Sequence, residues 1–388
     1  VGSIETKAKL SDGIWRLYGE KWFCSNPDAD LAMVLARPEG GDTGTKGLSL
    51  FLLPKIKPNG ERNHYHITRL KDKLGSRSMA SGEITLSGAH AYLVGDPGQG
   101  FKQMTDMINM SRLANGVRSA GMMRRNVSEV QFLARNRKAF GRHLSALPLM
   151  QVQIAKMMMA AEQGRAMVFH TADVLRRSDE GEALMSGVLR IMTPLIKFRT
   201  CRDARKVAGD AMEARGGCGY IEEWSDARIL RDAHLGSIWE GTSNIVALDV
   251  VRAARKEQAL GSLGTYCHQL HAKMKSSLND ASDFLEATDQ ARAKLMDVAL
   301  HDEKEHEARR ASSLLYHAIS SLIMASEAVA LGELGSTRAD IKLELARNVH
   351  VHKLKARDPF SEDDFDHVGP CVTRDILKGV DGTWEAAE

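Results

Sequence analysis

Hydrophobic and polar side chains alternate through the first part of the chain, as they do in half-buried strands. Within "DGIWRLYGEKWF", Trp15 and Leu17 alternate with more polar neighbours. Two short apolar runs follow, "LAMVLA" and "GLSLFLLP", and both lie between Gly, Pro or Asp residues that punctuate strands. We therefore predict an antiparallel β-barrel or β-sandwich over residues 1–98.

From Phe101 onward the apolar residues recur every three or four positions, which is the spacing of an amphipathic helix. Met104, Met107 and Ile108 begin this pattern, directly after "GDPGQGF". Helices are predicted over 101–136, 147–178, 182–214 and 235–259, and a second helical block over 264–350. The predicted fold class is α+β and mostly helical, with an antiparallel β-domain at 1–98, a four-helix bundle at 99–260 and an additional helical region at 261–388.

The composition excludes a disordered chain, since 43% of the 388 residues are hydrophobic and 27% are charged. No apolar run approaches the ~20 residues of a membrane helix, and no signal peptide is visible. We therefore expect no membrane association and a cytoplasmic location. Because the chain begins with Val1 and not with Met, we expect it to start within a longer sequence.

The five cysteines form no CxxC pair, and their odd number favours a reducing compartment over a disulfide framework. Cys267 and His271 lie four residues apart, a spacing that a metal site could use. The charged neighbours fit a solvated helix surface better, because zinc sites group their ligands more tightly. We therefore predict that no metal ion is bound.

The charge is distributed unevenly along the chain. Residues 262–388 hold 15 Lys and Arg against 22 Asp and Glu, a net charge of −7, and since the whole chain is +3, residues 1–261 carry +10. A basic body indicates an anionic ligand or partner. The acidic C-terminal part disfavours DNA binding through that part of the chain.

One carboxylate stands out in "SIWEGTSNI", residues 237–245, where Glu240 lies between an indole and a glycine. An acid among apolar groups is expected to have a raised pKa, because loss of solvation disfavours the charged form. Such a group can act as a general base or acid. The alternative is an acid at the start of the helix "SNIVALDVVRAAR", where the helix dipole favours it. The pattern alone leaves both readings open.

Two further segments have features of phosphate sites. In "RNRKAFG", residues 135–141, Arg137 offers a fork of donors to a phosphate, although basic residues are also common at helix C-termini. In "EARGGCGY", Gly216 and Gly217 would let the backbone approach a ligand, or would simply form the turn after a helix. Neither segment is a GxGxxG motif after a strand, so nicotinamide dinucleotide binding is not supported.

Taken in order, "WFCSN", "GDPGQGF", "RNRKAFG", "RGGCGY" and "IWEGTSNI" resemble the acyl-CoA dehydrogenase family. The resemblance covers residues 1–258 and, with "RLKDKLGSRSMAS" and the helical region after 260, is closest to the AidB branch of alkylation-response flavoproteins. It implies FAD as the cofactor and an acyl-CoA thioester as the substrate. It also implies that the family's N-terminal helical domain is absent from this chain.

The resemblance implies the catalytic chemistry as well. In the family, the acid of the "[YW]EGT" motif removes the α-proton of the thioester while hydride leaves the β-carbon for flavin N5, and Glu240 matches this acid. Arg112 matches a helix arginine near the substrate. Arg137 and Phe140 match residues that hold the FAD diphosphate and adenine, often across a subunit interface. The remaining positions implied to contact or flank the cofactor are Phe23, Ser25, Gly216, Gly217, Trp239, Thr242 and Asn244.

The sequence departs from the family pattern at three of the compared positions. Phe23 stands where most members have Trp, and Glu213 and Asn244 each replace a Gln. The leading hypothesis remains an FAD-dependent acyl-CoA dehydrogenase that forms a homo-oligomer, expected to be a tetramer, with an electron acceptor that the sequence does not identify. The alternative is an AidB-like flavoprotein with a protective, DNA-associated role and little dehydrogenase activity.

Overall fold

The computed structural model describes residues 1–256, 258–356, 360 and 368–378 of the chain. These residues form two compact units, Val1–Met110 and Ser111–Glu388. The first unit holds all the strands except a short two-stranded hairpin and the second holds most of the helices, so the predicted α+β, mostly helical fold class is confirmed. The predicted domain boundaries at residues 98 and 260 stay predictions.

The first unit is a β-barrel in which the strand pairings close a ring. The ring runs β2–β1–β3–β4–β6 and returns to β2, while β5 pairs with β6 outside the ring. Leu17, Phe51 and Ile84 point into its core. The strands are β1 (Lys7–Ser11), β2 (Ile14–Ser25), β3 (Leu31–Pro38), β4 (Ser49–Pro54), β5 (Tyr65–Leu70) and β6 (Ser81–Val94).

The prediction of an antiparallel domain is wrong at one strand pair. β1 pairs with β3 in parallel, with Lys7 opposite Arg37 and Ala8 opposite Pro38. The chain passes through β2 between these two strands, and this crossover makes the parallel pairing possible. The other barrel pairings are antiparallel.

The second unit is built of helices around one hydrophobic core. Residues from the helices before and after residue 260 belong to the same core cluster, for example Ile196, Val250 and Leu322. The helices of the chain are α1 (Gly100–Asn136), α2 (Pro148–Asp179), α3 (Ala183–Arg215), α4 (Ser225–Gly236), α5 (Ser243–Lys256), α6 (Ala259–Met274), α7 (Ala281–Leu300), α8 (Ala308–Glu333), α9 (Ala339–Val349) and α10 (Pro370–Leu377).

The predicted helix over 235–259 is interrupted. α4 ends at Gly236 and α5 begins at Ser243, so the "EGT" residues form a loop between two helices. Glu240 has φ +54° and Gly241 has φ +102°, and neither value fits a right-handed helix. The break was not predicted, because apolar residues on both sides of it have helical spacing.

α8 lies at the centre of the second unit. The segment Asp302–Glu333 is long and apolar enough, by length and composition, to cross a membrane, which the sequence reading did not indicate. The core helix of a globular unit passes the same test, and 67% of its most apolar window is buried inside the structure. Tyr316, Ile319 and Leu322 have no exposed surface. α8 therefore has the environment of a core helix.

Candidate active site

The loop between α4 and α5 gives Glu240 an unusual backbone conformation. Glu240 and Gly241 have positive φ in succession, and such a value is uncommon for a residue with a side chain. A residue in this region costs of order 1–3 kcal/mol and persists only where its surroundings enforce it. The contacts around Glu240 must therefore stabilise this backbone conformation.

The Glu240 carboxylate lies against α1 and not in an apolar environment. The Ser111 hydroxyl donates a hydrogen bond to Glu240 Oε1 at 3.0 Å. The carboxylate is half-buried, and the adjacent Trp239 ring is partly buried with the Arg118 guanidinium 5.8 Å from its centroid. The prediction of an apolar environment for the Glu240 carboxylate is therefore wrong in part, because an indole is present but a hydroxyl orients the acid.

Arg112 holds the backbone of this loop. Its Nε donates to the carbonyl oxygen of Glu240 at 3.3 Å, and its Nη1 donates to Asp249 Oδ2 at 2.6 Å. Asp249 also accepts a hydrogen bond from Arg190 at 2.8 Å. Burial alone would raise the pKa of Asp249, but the bonds and charges of Arg190 and Arg112 hold that pKa below its usual value. The role of Arg112 toward substrate stays a prediction, and in the structure it positions Glu240.

Lys197 anchors the next residue of the loop. Its ammonium group donates to the carbonyl oxygen of Gly241, and the side chain is only 1% exposed. Burial is the main cause that lowers the pKa of Lys197 to about 8. Lys197 was not among the site residues predicted from the sequence, nor were Ser111, Asp249 and Arg190. A lysine inside the apolar run "PLIKF" was the available signal.

Arg137 and Phe140 lie in a small hairpin after α1. The two short strands Lys138–Ala139 and Arg142–His143 pair, and between them Phe140 and Gly141 have φ of +52° and +78°. Positive φ at both central residues is the requirement of a type I′ turn. The turn displays the Phe140 side chain, which is 92% exposed, in a conformation that aromatic residues rarely adopt.

The hairpin lies next to the glycine-rich turn that follows α3. Arg137 Nη1 donates to the carbonyl oxygen of Arg215 at 3.0 Å, and Arg215 pairs in turn with the buried Asp226 at 2.6 Å. The structure therefore brings two of the predicted cofactor segments, those of Arg137 and Gly216, to one place. Gly216 and Gly217 are both exposed there.

Gly216→Ala is expected to destabilise the protein by about 1–3 kcal/mol, because φ +74° with ψ −150° is accessible essentially to glycine alone. Gly217→Ala is the matched control. Among the described residues other than its two chain neighbours, no heavy atom lies within 4 Å of the position that a Cβ would take at Gly217. Urea unfolding of both variants measures the difference. Equal stability of the two variants would contradict the conformational argument.

Thr242 and Asn244 are exposed at the beginning of α5. Asn244 Oδ1 accepts a hydrogen bond of 3.4 Å from Arg309, a residue of α8. Trp239, Glu240, Thr242 and Asn244 thus belong to one loop and the first turn of the following helix. Their predicted contacts with flavin stay predictions.

Phe23 and Ser25 belong to the first unit, where both are exposed on β2. The register of β2 against β6 shifts between Lys21 and Cys24, which is a β-bulge. The bulge turns Trp22 and Phe23 outward, and Phe23 is 76% exposed. The Lys71 ammonium lies 3.1 Å from the centroid of the Trp22 ring. A tryptophan is thus present one position before Phe23.

Cys267 and His271 are the two residues whose spacing a metal site could use. In the part of the chain that the structure describes, no group of three or more His, Cys, Asp and Glu residues could hold a metal ion. Cys267 lies in the core, and burial raises the pKa of its thiol to about 12. A thiol with this pKa remains protonated at neutral pH, whereas the thiolate is the form that binds metals.

Comparison with known proteins identifies the family. The profile for the acyl-CoA dehydrogenase middle domain matches residues 1–89, and that for the C-terminal domain matches residues 98–255. AidB of Escherichia coli K12 is 39% identical over 265 residues, which are 68% of this chain and 47% of that protein. Acyl-CoA dehydrogenase family member 11 of Caenorhabditis elegans is 35% identical over 298 residues, which are 75% of this chain and 48% of that protein.

Solved structures share the fold. The crystal structure of Caenorhabditis elegans ACDH-11 in complex with C11-CoA has a TM-score of 0.82 and 30% identity, with 90% of this chain and 61% of that chain covered. The apo form of Bd2924 has a TM-score of 0.75 and 32% identity, with 84% and 64% covered. The chain spans about half the length of the curated relatives it matches. It belongs to the acyl-CoA dehydrogenase family.

Proposed function

We propose that the protein is an FAD-dependent acyl-CoA dehydrogenase-type oxidoreductase in which Glu240 is the catalytic base. The observation that carries this proposal is the set of contacts on the loop of Glu240. Ser111 holds the carboxylate, Arg112 holds the backbone, and both come from α1. An acid kept in a disfavoured conformation by two hydrogen bonds fits a positioned proton acceptor better than an ordinary helix-start residue.

The residues of the second unit fit FAD. Arg137 offers guanidinium donors on the surface, and the glycine turn beside it has no side chains at two successive positions. Phe140 presents an almost fully exposed ring. This dinucleotide requires a cation for its diphosphate, backbone without side chains for close approach, and an aromatic ring for its adenine.

The proposed mechanism assigns removal of the proton to the chain and acceptance of the hydride to the cofactor. Glu240 takes the α-proton of the acyl thioester at a carboxylate oxygen, and the electron pair of that C–H bond becomes the second bond between Cα and Cβ. When bound, FAD supplies the acceptor for the hydride that leaves the β-carbon. Ser111 fixes the direction of the carboxylate, while Arg112 and Lys197 fix the backbone at Glu240 and Gly241. Such positioning lowers the entropic part of the barrier.

The proposed substrate is an acyl-CoA thioester. The related ACDH-11 was crystallised with C11-CoA. The charge of +10 on residues 1–261 suits the phosphates of coenzyme A. Anaerobic mixing of the flavin-loaded, full-length protein with acyl-CoAs of increasing chain length tests the proposal, because a substrate bleaches the oxidised flavin. Absence of bleaching with every acyl-CoA would favour the protective, DNA-associated alternative.

Arg137→Ala is expected to weaken FAD binding at least tenfold, because it removes the guanidinium proposed for the diphosphate. Lys138→Ala is the control, since Lys138 is the next residue, is also exposed and carries the same charge. Fluorescence titration of apoprotein with FAD measures both affinities, and absorbance of the denatured holoprotein identifies the released cofactor. Release of a nicotinamide nucleotide without flavin would contradict the cofactor assignment.

We further infer that the protein is a homotetramer. Large apolar side chains are exposed on the second unit, among them Phe140 at 92%, Leu149 at 86% and Tyr220 at 80%. Exposed apolar groups of this size are often covered in an oligomer, and homo-oligomers close with point-group symmetry. Light scattering of the full-length protein at micromolar concentration is expected to give four times the chain mass. A monomer at that concentration would refute the inference.

A further inference from the structure

Arg118 lies on the same face of α1 as Ser111. The two residues are about two helical turns apart, so their Cα atoms are separated by ~10 Å along the helix axis. Ser111 donates to Glu240 Oε1, whereas the Arg118 guanidinium lies 5.8 Å from the centroid of the Trp239 ring. Arg118 therefore approaches the loop of Glu240 at the residue before the proposed base.

Gly236, the last residue of α4, leaves the space that this guanidinium occupies. A Cβ at position 236 would lie 3.3 Å from Arg118 Nη2 and 3.2 Å from Ser119 Oγ, so a larger residue would press on both side chains. Burial raises the pKa of the Cys201 thiol, while a hydrogen bond from Ser119 and the charges of Lys197 and Arg118 oppose that rise. The guanidinium is therefore held at the inner side of the loop, close to Gly236 and Cys201.

The positive charge of Arg118 is not compensated. Among the residues that the structure describes, no carboxylate forms an ion pair with Arg118, and its Nε and Nη2 are buried without a hydrogen-bond partner. The two other cations of this region have carboxylates: Asp249 pairs with Arg112, and the Glu240 charge partly offsets the burial that lowers the pKa of Lys197. The contact with an indole attracts a cation but gives its N–H groups no acceptor. Buried donors without acceptors are costly, and a ligand oxygen would relieve that cost.

We propose that Arg118 recognises a second carboxylate on the acyl group, so that the substrate is the mono-CoA thioester of a dicarboxylic acid. This inference rests on the proposed function, because Glu240 has to act at the α-carbon of the same acyl group. The acyl chain would run from Glu240 past Trp239, and its terminal carboxylate would accept paired hydrogen bonds from Arg118.

The chemistry of a single guanidinium favours a carboxylate as this second group. Arg118 carries one positive charge and a planar fork of donors, which match a carboxylate in charge and in shape. The side chain is half-buried, and without a hydrogen-bond partner it can turn toward a ligand without breaking a bond. An acyl group that ends in a methyl would leave the guanidinium without an acceptor. Sites with buried polar groups reject analogues that lack the matching group for this reason.

The test compares acyl-CoAs of equal carbon number that end either in a carboxylate or in a methyl: adipoyl-CoA with hexanoyl-CoA, and sebacoyl-CoA with decanoyl-CoA. Glu240→Gln should bind these thioesters without turnover, so calorimetric titration of the flavin-loaded, full-length variant measures binding alone. In at least one pair the dicarboxylic thioester is expected to bind at least tenfold more tightly, and addition of Arg118→Gln is expected to abolish the difference. Arg124→Gln is the matched control, because Arg124 is an exposed arginine of the same helix, and this variant should keep the preference.

Equal affinities within both pairs, or a preference that survives Arg118→Gln, would overturn the inference. Failure of the proposed function has a different signature: no acyl-CoA bleaches the flavin of the wild type, while the titrations still show whether Arg118 selects the carboxylate. Arg118→Gln removes an uncompensated charge, so its melting temperature should be unchanged or higher. If that variant does not fold, Arg118→Lys takes its place and should weaken the preference, because lysine lacks the planar fork, and an unchanged preference would again overturn the inference.

Discussion

Glu240→Gln is expected to slow flavin reduction by acyl-CoA by a factor of ~10²–10⁴ or more, since the lower figures are the usual effect of losing a positioned base. Gln has the size of Glu and can still accept the hydrogen bond that Ser111 donates to Oε1. It cannot take up the α-proton. The backbone contacts of the loop use carbonyl oxygens of Glu240 and Gly241, so the substitution leaves them in place. FAD content is therefore expected to be unchanged.

Stopped-flow bleaching of the oxidised flavin with saturating acyl-CoA measures this effect on full-length protein. Glu333→Gln is the control, because it removes an exposed carboxylate at the end of α8. Ser111→Ala should give an intermediate rate, since the base is retained and only its orientation is lost. Wild-type bleaching in Glu240→Gln would remove this residue from the mechanism. No acid lies between Asp106 and Glu129 in the sequence, so the middle of α1 offers no replacement.

The long helices could be predicted closely from periodicity alone. α1 was expected at 101–136 and is found at Gly100–Asn136, and α2 and α3 differ by one residue at each end. Each of these helices has more than thirty residues, so the helical period repeats many times. The motif series also identified the family, because five ordered segments carry more information than any one of them.

The geometry around Glu240 could not be predicted. Ser111 lies 129 residues from Glu240 in sequence, and Asp249 lies 137 residues from Arg112. The sequence around a hydroxyl or a carboxylate on a helix does not indicate a partner that lies so far away along the chain. The break between α4 and α5 was missed for a related reason: Gly241 was visible, but the positive φ of Glu240 depends on contacts with α1 and α3. The parallel pair of β1 and β3 is equally a product of tertiary structure.

These contacts indicate a division of roles within the site. Glu240 carries the proposed chemistry, whereas Arg112, Lys197 and Asp249 hold the loop that carries Glu240. In a preorganised site of this kind, the free-energy cost of holding the catalytic residue in place is met by residues that need not contact the substrate. Loss of a positioning residue should therefore affect stability and rate together, while loss of the base should affect rate alone.

Asp249→Asn is expected to destabilise the protein by about 3–5 kcal/mol, since removal of one partner from a buried ion pair leaves the other charges uncompensated. Asp249 is the carboxylate between Arg112 and Arg190, and the side chains of Arg112 and Asp249 are 11% and 15% exposed. Asn keeps the shape and one acceptor but not the charge. Arg112 also holds the carbonyl oxygen of Glu240, so flavin reduction should slow as well. Asp173→Asn, at a largely exposed pair with Arg176, is the control and should cost less than about 1 kcal/mol.

The pH dependence distinguishes loss of charge from a packing defect. The pKa of Asp249 is lower in the folded protein than in the unfolded chain, so its charge contributes stability above the unfolded pKa. That contribution is lost as the pH falls through the folded pKa, because the carboxyl group is then protonated in both states. The stability difference between wild type and Asp249→Asn, measured by urea unfolding, should therefore be full at pH 7 and shrink below pH ~4. A difference that stays constant down to the lowest pH at which the protein folds would assign the effect to packing and not to the ion pair.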